Sequence, residues 1–274
     1  MSTRISHTGT SPTGPAPTRN SGQVRRHVVF RIAAGLLSLI MLVGFSSWLL
    51  LLAPWLVLPN VDGHGWTRTA ELHRLADSSS GLLMAAVGVA ALLLLIRPQG
   101  RPALLTWTVA MTTVMVALAP VSAAIQGNNI LETLAITVVF IAVLVLPLVL
   151  LNPDRRTGRR SIDSQTDTDP FADDPSGFGS SHDSGPTPLA KAGLLVLGAA
   201  GVALAAGVVL WRMFEDVFEN PLEDDVLGLA TLGISFALGA LLCVRRRTGW
   251  LTLTWILAAM TGYAVVAGLS IALT

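Results

Sequence analysis

The stretch Pro102–Leu131, PALLTWTVAMTTVMVALAPVSAAIQGNNIL, contains no charged residue in 30 positions. One membrane-spanning helix takes about 20 residues, so this stretch is long enough for a helix and a turn. The segment Gln126–Asn129 contains the Gly and Asn residues typical of such a turn. The sequence therefore predicts a membrane helix that ends in a hairpin, with the bilayer rather than water as its solvent.

The composition of the whole chain agrees with a membrane environment. Of its 274 residues, 52% are apolar and 13% are charged, and the mean hydropathy is +0.63, whereas a soluble domain is about 25% charged. This balance excludes a conventional water-soluble enzyme. The single cysteine, Cys243, excludes an intrachain disulfide and a CxxC metal or redox motif.

Further uncharged runs of membrane-spanning length lie on both sides of this stretch. They are Ile32–Leu58, Ser78–Ile96, Thr133–Asn152, Ala192–Trp211, Val226–Val244 and Thr248–Thr274. Together with the helix in Pro102–Leu131 they predict an all-α, polytopic transmembrane helical bundle of about seven helices.

Two polar segments divide the predicted bundle. Residues 1–29 are rich in Ser, Thr, Pro and Gly and are predicted to be a disordered cytoplasmic tail. Residues 152–188 are predicted to be a disordered cytoplasmic tether. These segments leave a four-helix transmembrane half at 30–151, with an outer loop at 59–77, and a three-helix half at 189–274.

The positions of the arginines predict the orientation, because cytoplasmic loops carry the excess of Lys and Arg. With the N-terminus inside, 15 of the 18 basic residues fall on inner segments and ten acidic residues fall on outer ones. Seven spans then place the C-terminus outside. The basic residues are 17 arginines and one lysine, a bias typical of a GC-rich genome, so we expect a prokaryotic plasma membrane.

The segments Arg97–Trp107 and Arg245–Trp255 share a frame at an offset of 148 residues, since each begins with Arg and ends in Leu-Thr-Trp. Helices one to three and five to seven are therefore candidate parallel repeats, with helix four as the connector. Chance similarity between two apolar hairpins is the alternative. The three-plus-one-plus-three order resembles that of the SWEET-type sugar transporters in helix count, and no sugar-binding residue is carried over.

The repeat places two pairs of side chains in equivalent positions, Thr106 with Thr254 and Trp107 with Trp255. These four residues can line a cavity between the repeats, or they can be ordinary helix packing. No charged residue lies near the middle of any predicted span. This distribution argues against proton-coupled transport and ion conduction, and it leaves the passage of a small neutral solute open.

The predicted outer loop carries imidazole and carboxylate groups of the kind that bind a divalent metal. The candidates are His64, Glu71, His73 and Asp77. Their spacing fits no closed structural metal site, and a solvated acidic surface is the alternative.

The sequence favours a non-enzymatic accessory or structural component of a membrane complex. It contains no nucleophile, zinc-protease or phosphate-loop motif, so we expect no catalytic residue, no cofactor and no nucleic-acid partner. Small residues at four-residue spacing, such as Gly201 with Ala205 and Ala258 with Gly262, favour contact with a membrane-protein partner or with a second copy. The alternatives are a facilitator for a small neutral solute or lipid and a metal sensor on the outer face.

Cysteine accessibility tests the predicted orientation. In a Cys243→Ser background, we expect Ser164→Cys in the tether to react with a membrane-impermeant maleimide only after the cells are opened, because the arginine excess holds that segment inside. A Thr274→Cys variant should react on intact cells. Labelling of the tether cysteine on intact cells would contradict this orientation.

Overall fold

A computed structural model describes residues 21–45, 47–55, 70–125, 129–152, 186–214, 224–245 and 248–273. Within these ranges all regular structure is helical, with no strand. The predicted all-α class is thus confirmed. The α-helices are α1 (Ser21–Leu39), α2 (Ser47–Leu50), α3 (Ala70–Ile96), α4 (Pro102–Ile125), α5 (Ile130–Phe140), α6 (Leu146–Leu150), α7 (Pro188–Phe214), α8 (Asp224–Val244) and α9 (Trp250–Ala272).

Six helical stretches among the described residues are long and apolar enough to cross a membrane, so the chain is a polytopic helical membrane protein. Helix α8 is the predicted sixth span of seven. The apolar part of α8 whose side chains are described is Gly228–Val244. It is 17 residues long, which is slightly shorter than the six other stretches. The count of seven therefore stays a prediction. The six stretches are Val24–Gly44, Arg74–Ile96, Pro102–Val121, Ile130–Leu150, Pro188–Leu210 and Trp250–Ala272.

The first apolar run, predicted as one helix over Ile32–Leu58, is broken. A π-helical turn, Ile40–Gly44, continues α1. The described residues that follow, up to 55, form the single turn α2 and a 3-10 turn at Ala53–Trp55. The Ser47 hydroxyl donates to the carbonyl of Leu42 at 3.3 Å, a side-chain bond that competes with the helical ladder. The apolar composition of the run gave no signal for this break.

The structure also shifts two predicted boundaries. Helix α1 begins at Ser21, so residues 21–29 of the predicted tail are helical, and residues 1–20 lie outside the described ranges. Helix α3 begins at Ala70, inside the predicted outer loop, because residues 70–76 are mostly good helix formers.

Two of the predicted turns and linkers lie largely outside the described ranges. Residues 153–185 of the predicted tether are not described, and α7 begins close to the predicted end of that tether. The Thr187 hydroxyl accepts a hydrogen bond from the backbone N–H of Ala190 at 3.2 Å and caps α7. Of the predicted turn Gln126–Asn129, Asn129 is described and caps α5 through the N–H of Glu132.

Two hairpins, α3–α4 and α8–α9, form the centre of the bundle. Helix α3 contacts both helices of the second hairpin, and α8 contacts both helices of the first. Helix α1 packs on α3, and α7 packs on α8. The fourth span, Ile130–Leu150, lies against α1 and α4, so only the first half of the bundle carries this additional helix among the described residues.

The two hairpins turn at equivalent positions. Helices α3 and α8 end at Ile96 and Val244, and α4 and α9 begin at Pro102 and Trp250, each pair at the offset of 148 residues. This agreement supports the repeat inferred from the sequence.

Equivalent residues of the two hairpins also touch each other. A Cβ atom built on Gly228 would collide with the Ser80 hydroxyl oxygen, and one on Gly249 would lie 2.7 Å from the Cα of Arg101. Both pairs are related by 148 residues. In a two-fold arrangement a residue meets its own equivalent only near the axis. These contacts therefore place a pseudo-two-fold axis between α3 and α8.

The turns of the two hairpins provide a matched test of this contact. Gly100 and Gly249 have φ angles of 74° and 87°, a conformation that Asn tolerates better than other side chains. A Cβ on Gly100 meets no atom within 4 Å, whereas one on Gly249 meets the Arg101 backbone. We expect Gly249→Asn to lower the free energy of unfolding by about 1–3 kcal/mol and Gly100→Asn to have little effect. Unfolding of the purified protein in mixed micelles measures both, and equal effects would contradict the close contact.

Candidate functional site

Trp107 lies fully buried between α4 and α8. Its exposed fraction is 0%, and its indole N–H donates to the backbone carbonyl of Ser235 at 3.1 Å. A buried indole N–H usually has such a partner. The side chain therefore joins the two hairpins through one hydrogen bond and its packing.

Three buried hydroxyls near Trp107, on α4 and α8, donate to carbonyls of their own helices. Such bonds satisfy each hydroxyl locally and do not require a solute or a water molecule. They favour helix packing over a polar path. The bonds run from Thr108 to Leu104 at 2.8 Å, from Thr112 to Thr108 at 2.7 Å and from Ser235 to Leu232 at 2.7 Å.

Of the four residues that the repeat made equivalent, the two tryptophans lie in unlike surroundings, whereas the two threonines make equivalent bonds. Trp255 is 71% exposed, so it faces outward from α9 and is not brought together with Trp107. The Thr106 hydroxyl donates to the Pro102 carbonyl at 2.8 Å, and the Thr254 hydroxyl donates to the Trp250 carbonyl at 3.0 Å. The cavity between the repeats stays a prediction, and the exposure of Trp255 gives it no support.

The predicted metal ligands fall largely outside the structural description. His64 lies outside the described residues, and Glu71 and His73 lie in the first turn of α3 with side chains that are not described. Asp77 is half-buried further along α3. The described residues contain no group of three His, Cys, Asp or Glu side chains able to hold a metal. The metal site stays a prediction.

A polar cluster that the sequence analysis missed holds the broken first span against α3 and α9. The Tyr263 hydroxyl donates to the Leu51 carbonyl at 2.7 Å, and the Arg74 guanidinium donates to the Pro54 carbonyl. The rings of Trp55 and Tyr263 meet edge to face, with centroids 6.0 Å apart. The cluster satisfies backbone carbonyls where the helix is interrupted. The sequence feature that could have indicated this cluster was Tyr263, the single tyrosine of the chain.

Helices α7 and α8 approach closely along a line of small residues. A Cβ built on Gly198 would lie 3.2 Å from the Cβ of Ala240, and one on Gly201 would lie 3.0 Å from the Cβ of Phe236. Small residues allow such close contact in membranes. The four-residue spacing of Gly201 and Ala205 in the sequence had already indicated that this face of α7 makes a close helix contact.

An apolar groove of about 680 Å³ opens beside this contact line. The described residues that line it have no polar side chain. The lining residues are Leu194, Leu195, Gly198, Ala199, Val202, Ala205 and Ala206 of α7 and Ile234, Ala237, Leu238, Ala240 and Leu241 of α8. We call this feature the α7–α8 groove.

Helix α7 is the least covered of the six candidate spans. Only 11% of its apolar span is buried, compared with 56% for α3. Leu195, Val196 and Val202 are all more than half exposed. In the described part of the chain α7 packs extensively on α8 alone, whereas α1, its counterpart in the first half, also contacts the fourth span.

No protein-family model, curated protein or solved structure matches this chain. Its fold defines a class, that of polytopic α-helical membrane proteins, and any closer functional assignment depends on the surfaces described above.

The two tryptophans of the repeat give a matched pair of substitutions. We expect Trp107→Ala to lower the free energy of unfolding by about 3–5 kcal/mol, the usual cost of removing a buried large aromatic side chain. Trp255→Ala should change it by less than about 1 kcal/mol, because an exposed side chain leaves no cavity. Unfolding in mixed micelles measures both values. A larger loss for Trp255 than for Trp107 would contradict the burial described here.

Proposed function

We propose that the protein is a non-catalytic component of a complex in a prokaryotic plasma membrane and that the α7–α8 groove binds a transmembrane helix of a partner protein. The observation that carries this proposal is the groove itself, a wholly apolar surface on the least covered span. The N-terminus is cytoplasmic and the C-terminus outside in this proposal, as the arginine distribution predicts.

The lining of the groove supports a helix as its occupant. Lipid and helix surfaces are equally apolar, so helix association in a membrane depends on close packing between backbones. Half of the groove's lining residues are Gly or Ala, among them Gly198, Ala199 and Ala206. Their small side chains leave room for the backbone of a second helix to approach.

The internal repeat supports the same conclusion. In the first half, the fourth span lies against both α1 and α4. Among the described residues of the second half, no further helix covers α7, the counterpart of α1. A partner helix in the α7–α8 groove would cover α7 as the fourth span covers α1.

The charged residues of the described spans support a non-catalytic role. Charged side chains lie within about two turns of a span end, where water and headgroups are accessible. Examples are Arg31, Asp77, Glu132 and Lys191. The buried hydroxyls of α4 donate within their own helix, which favours packing over a solute path.

Site-specific photocrosslinking in native membranes tests the proposal. We expect a photoreactive residue at Val202, inside the groove, to form an adduct of one defined size with a single other protein. The matched control is Val139 on α5, which is 61% exposed and lies outside the groove. That position should form adducts with lipid alone.

Filling the groove gives the second arm of this test. The double substitution Ala199→Leu with Ala206→Leu should lower the yield of the Val202 adduct about tenfold, since overpacking of a close contact costs more than about 1.4 kcal/mol. The melting temperature of the chain should stay the same. Adducts with lipid alone at Val202, or an adduct with a second copy of this chain, would overturn the assignment to a partner protein.

A further inference from the structure

A second cavity, of about 600 Å³, lies where α1 passes the end of α3. Its lining combines basic and apolar side chains, and no Asp or Glu is among the described residues that line it. The lining residues are Val24, His27, Val28 and Arg31 of α1 and Ile96, Arg97, Pro98 and Gln99 at the end of α3. We call this feature the α1–α3 basic cavity.

The basic groups of this cavity are accessible. Arg31 and Arg97 are both exposed, and His27 is half-buried. Each guanidinium presents a planar set of N–H donors that matches the oxygens of a phosphate. Two such groups in one cavity without a carboxylate make an anion the expected ligand.

Apolar surface borders the same cationic groups. Val24, Val28 and Ile96 are 54%, 50% and 61% exposed. One helical turn further toward the middle of the bundle, Ile32 and Leu92 are 55% and 39% exposed. A soluble anion would leave this apolar surface uncovered, whereas the acyl chains of a lipid would pack against it. The cavity therefore matches the two parts of a phospholipid, a phosphate and hydrocarbon chains.

The position of the cavity relative to the membrane agrees with a lipid headgroup. Arg97 is the first residue after α3, and Arg31 lies seven residues inside the span that begins at Val24. Both lie at the predicted cytoplasmic side, where anionic lipids collect and where basic pockets between helices bind their headgroups.

In the second repeat Arg245 is the equivalent of Arg97 at the offset of 148 residues, although the proposal does not depend on it.

We propose that the α1–α3 basic cavity binds one anionic phospholipid of the cytoplasmic leaflet. Arg31 and Arg97 hold its phosphate, and its acyl chains extend along Ile32 and Leu92. The assignment is independent of the partner proposed for the α7–α8 groove, since the two surfaces share no residue.

Native mass spectrometry of the full chain, washed in detergent and supplied with phosphatidylglycerol, tests this assignment. We expect the double substitution Arg31→Gln with Arg97→Gln to lower the number of retained lipids by one per chain. The matched control, Arg155→Gln with Arg156→Gln, removes the same charge from the predicted tether and should leave the number unchanged. Equal retention by both double variants would overturn the proposal.

A single substitution at the exposed Gln99 tests the site even if the double variant fails to fold. Gln99→Glu adds a carboxylate to the lining and should weaken phosphatidylglycerol binding about tenfold through like-charge repulsion. Its melting temperature should equal that of the original chain. Unchanged lipid binding by this variant would overturn the proposal.

Two further probes identify the source of the phosphate. Phosphatidylcholine, which carries no net charge, should not be retained at this site, and inorganic phosphate should not displace phosphatidylglycerol. Displacement by inorganic phosphate would show a site for a soluble anion and would overturn the lipid assignment. Equal retention of phosphatidylcholine would overturn the requirement for an anionic headgroup.

Discussion

The close contact between α3 and α8 is the interaction on which the rest of the bundle depends. Hydrocarbon offers no partner for backbone polar groups, so the spans are helices, and carbonyls at the break in the first span are satisfied by side chains of neighbouring helices. Association of such helices then depends on how closely they approach. Ser80 contacts its equivalent Gly228, and Arg101 contacts its equivalent Gly249 at the turns of the two hairpins. These contacts align the two hairpins, and α1 and α7 each pack on one of them.

The sequence predicted the features that depend on composition and failed where tertiary contacts decide. Uncharged runs predicted the helical class and most spans, and the frame shared by Arg97–Trp107 and Arg245–Trp255 predicted hairpins that turn at equivalent positions. The break after Gly44 was missed, because the run is apolar throughout and the interrupted carbonyls are satisfied by distant side chains such as Tyr263. Trp255 was paired with Trp107 by spacing alone, but burial depends on neighbouring helices.

The fourth span has no counterpart among the described residues of the second half, and this makes the two halves of the bundle unlike. In the first half it contacts α1 and α4, and the Thr137 hydroxyl donates to the Val116 carbonyl of α4 at 3.3 Å. In the second half α7 stays largely exposed, and the groove beside it is apolar. The α1–α3 basic cavity lies on the other half. Small residues and Arg-rich turns were visible in the sequence, but only the fold shows which of them are uncovered.

Disulfide formation across the α3–α8 contact tests the central claim most directly. A Cβ on Gly228 would lie 3.8 Å from the Cβ of Ser80, within the range of about 3.5–4.5 Å found in disulfides. In a Cys243→Ser background with a protease site in the tether, Ser80→Cys with Gly228→Cys should keep the two cleaved halves linked until a reductant is added. The control pair, Ser80→Cys with Ser235→Cys, lies about two turns out of register. Separation of the halves in the first pair, or equal linkage in the control, would contradict the account.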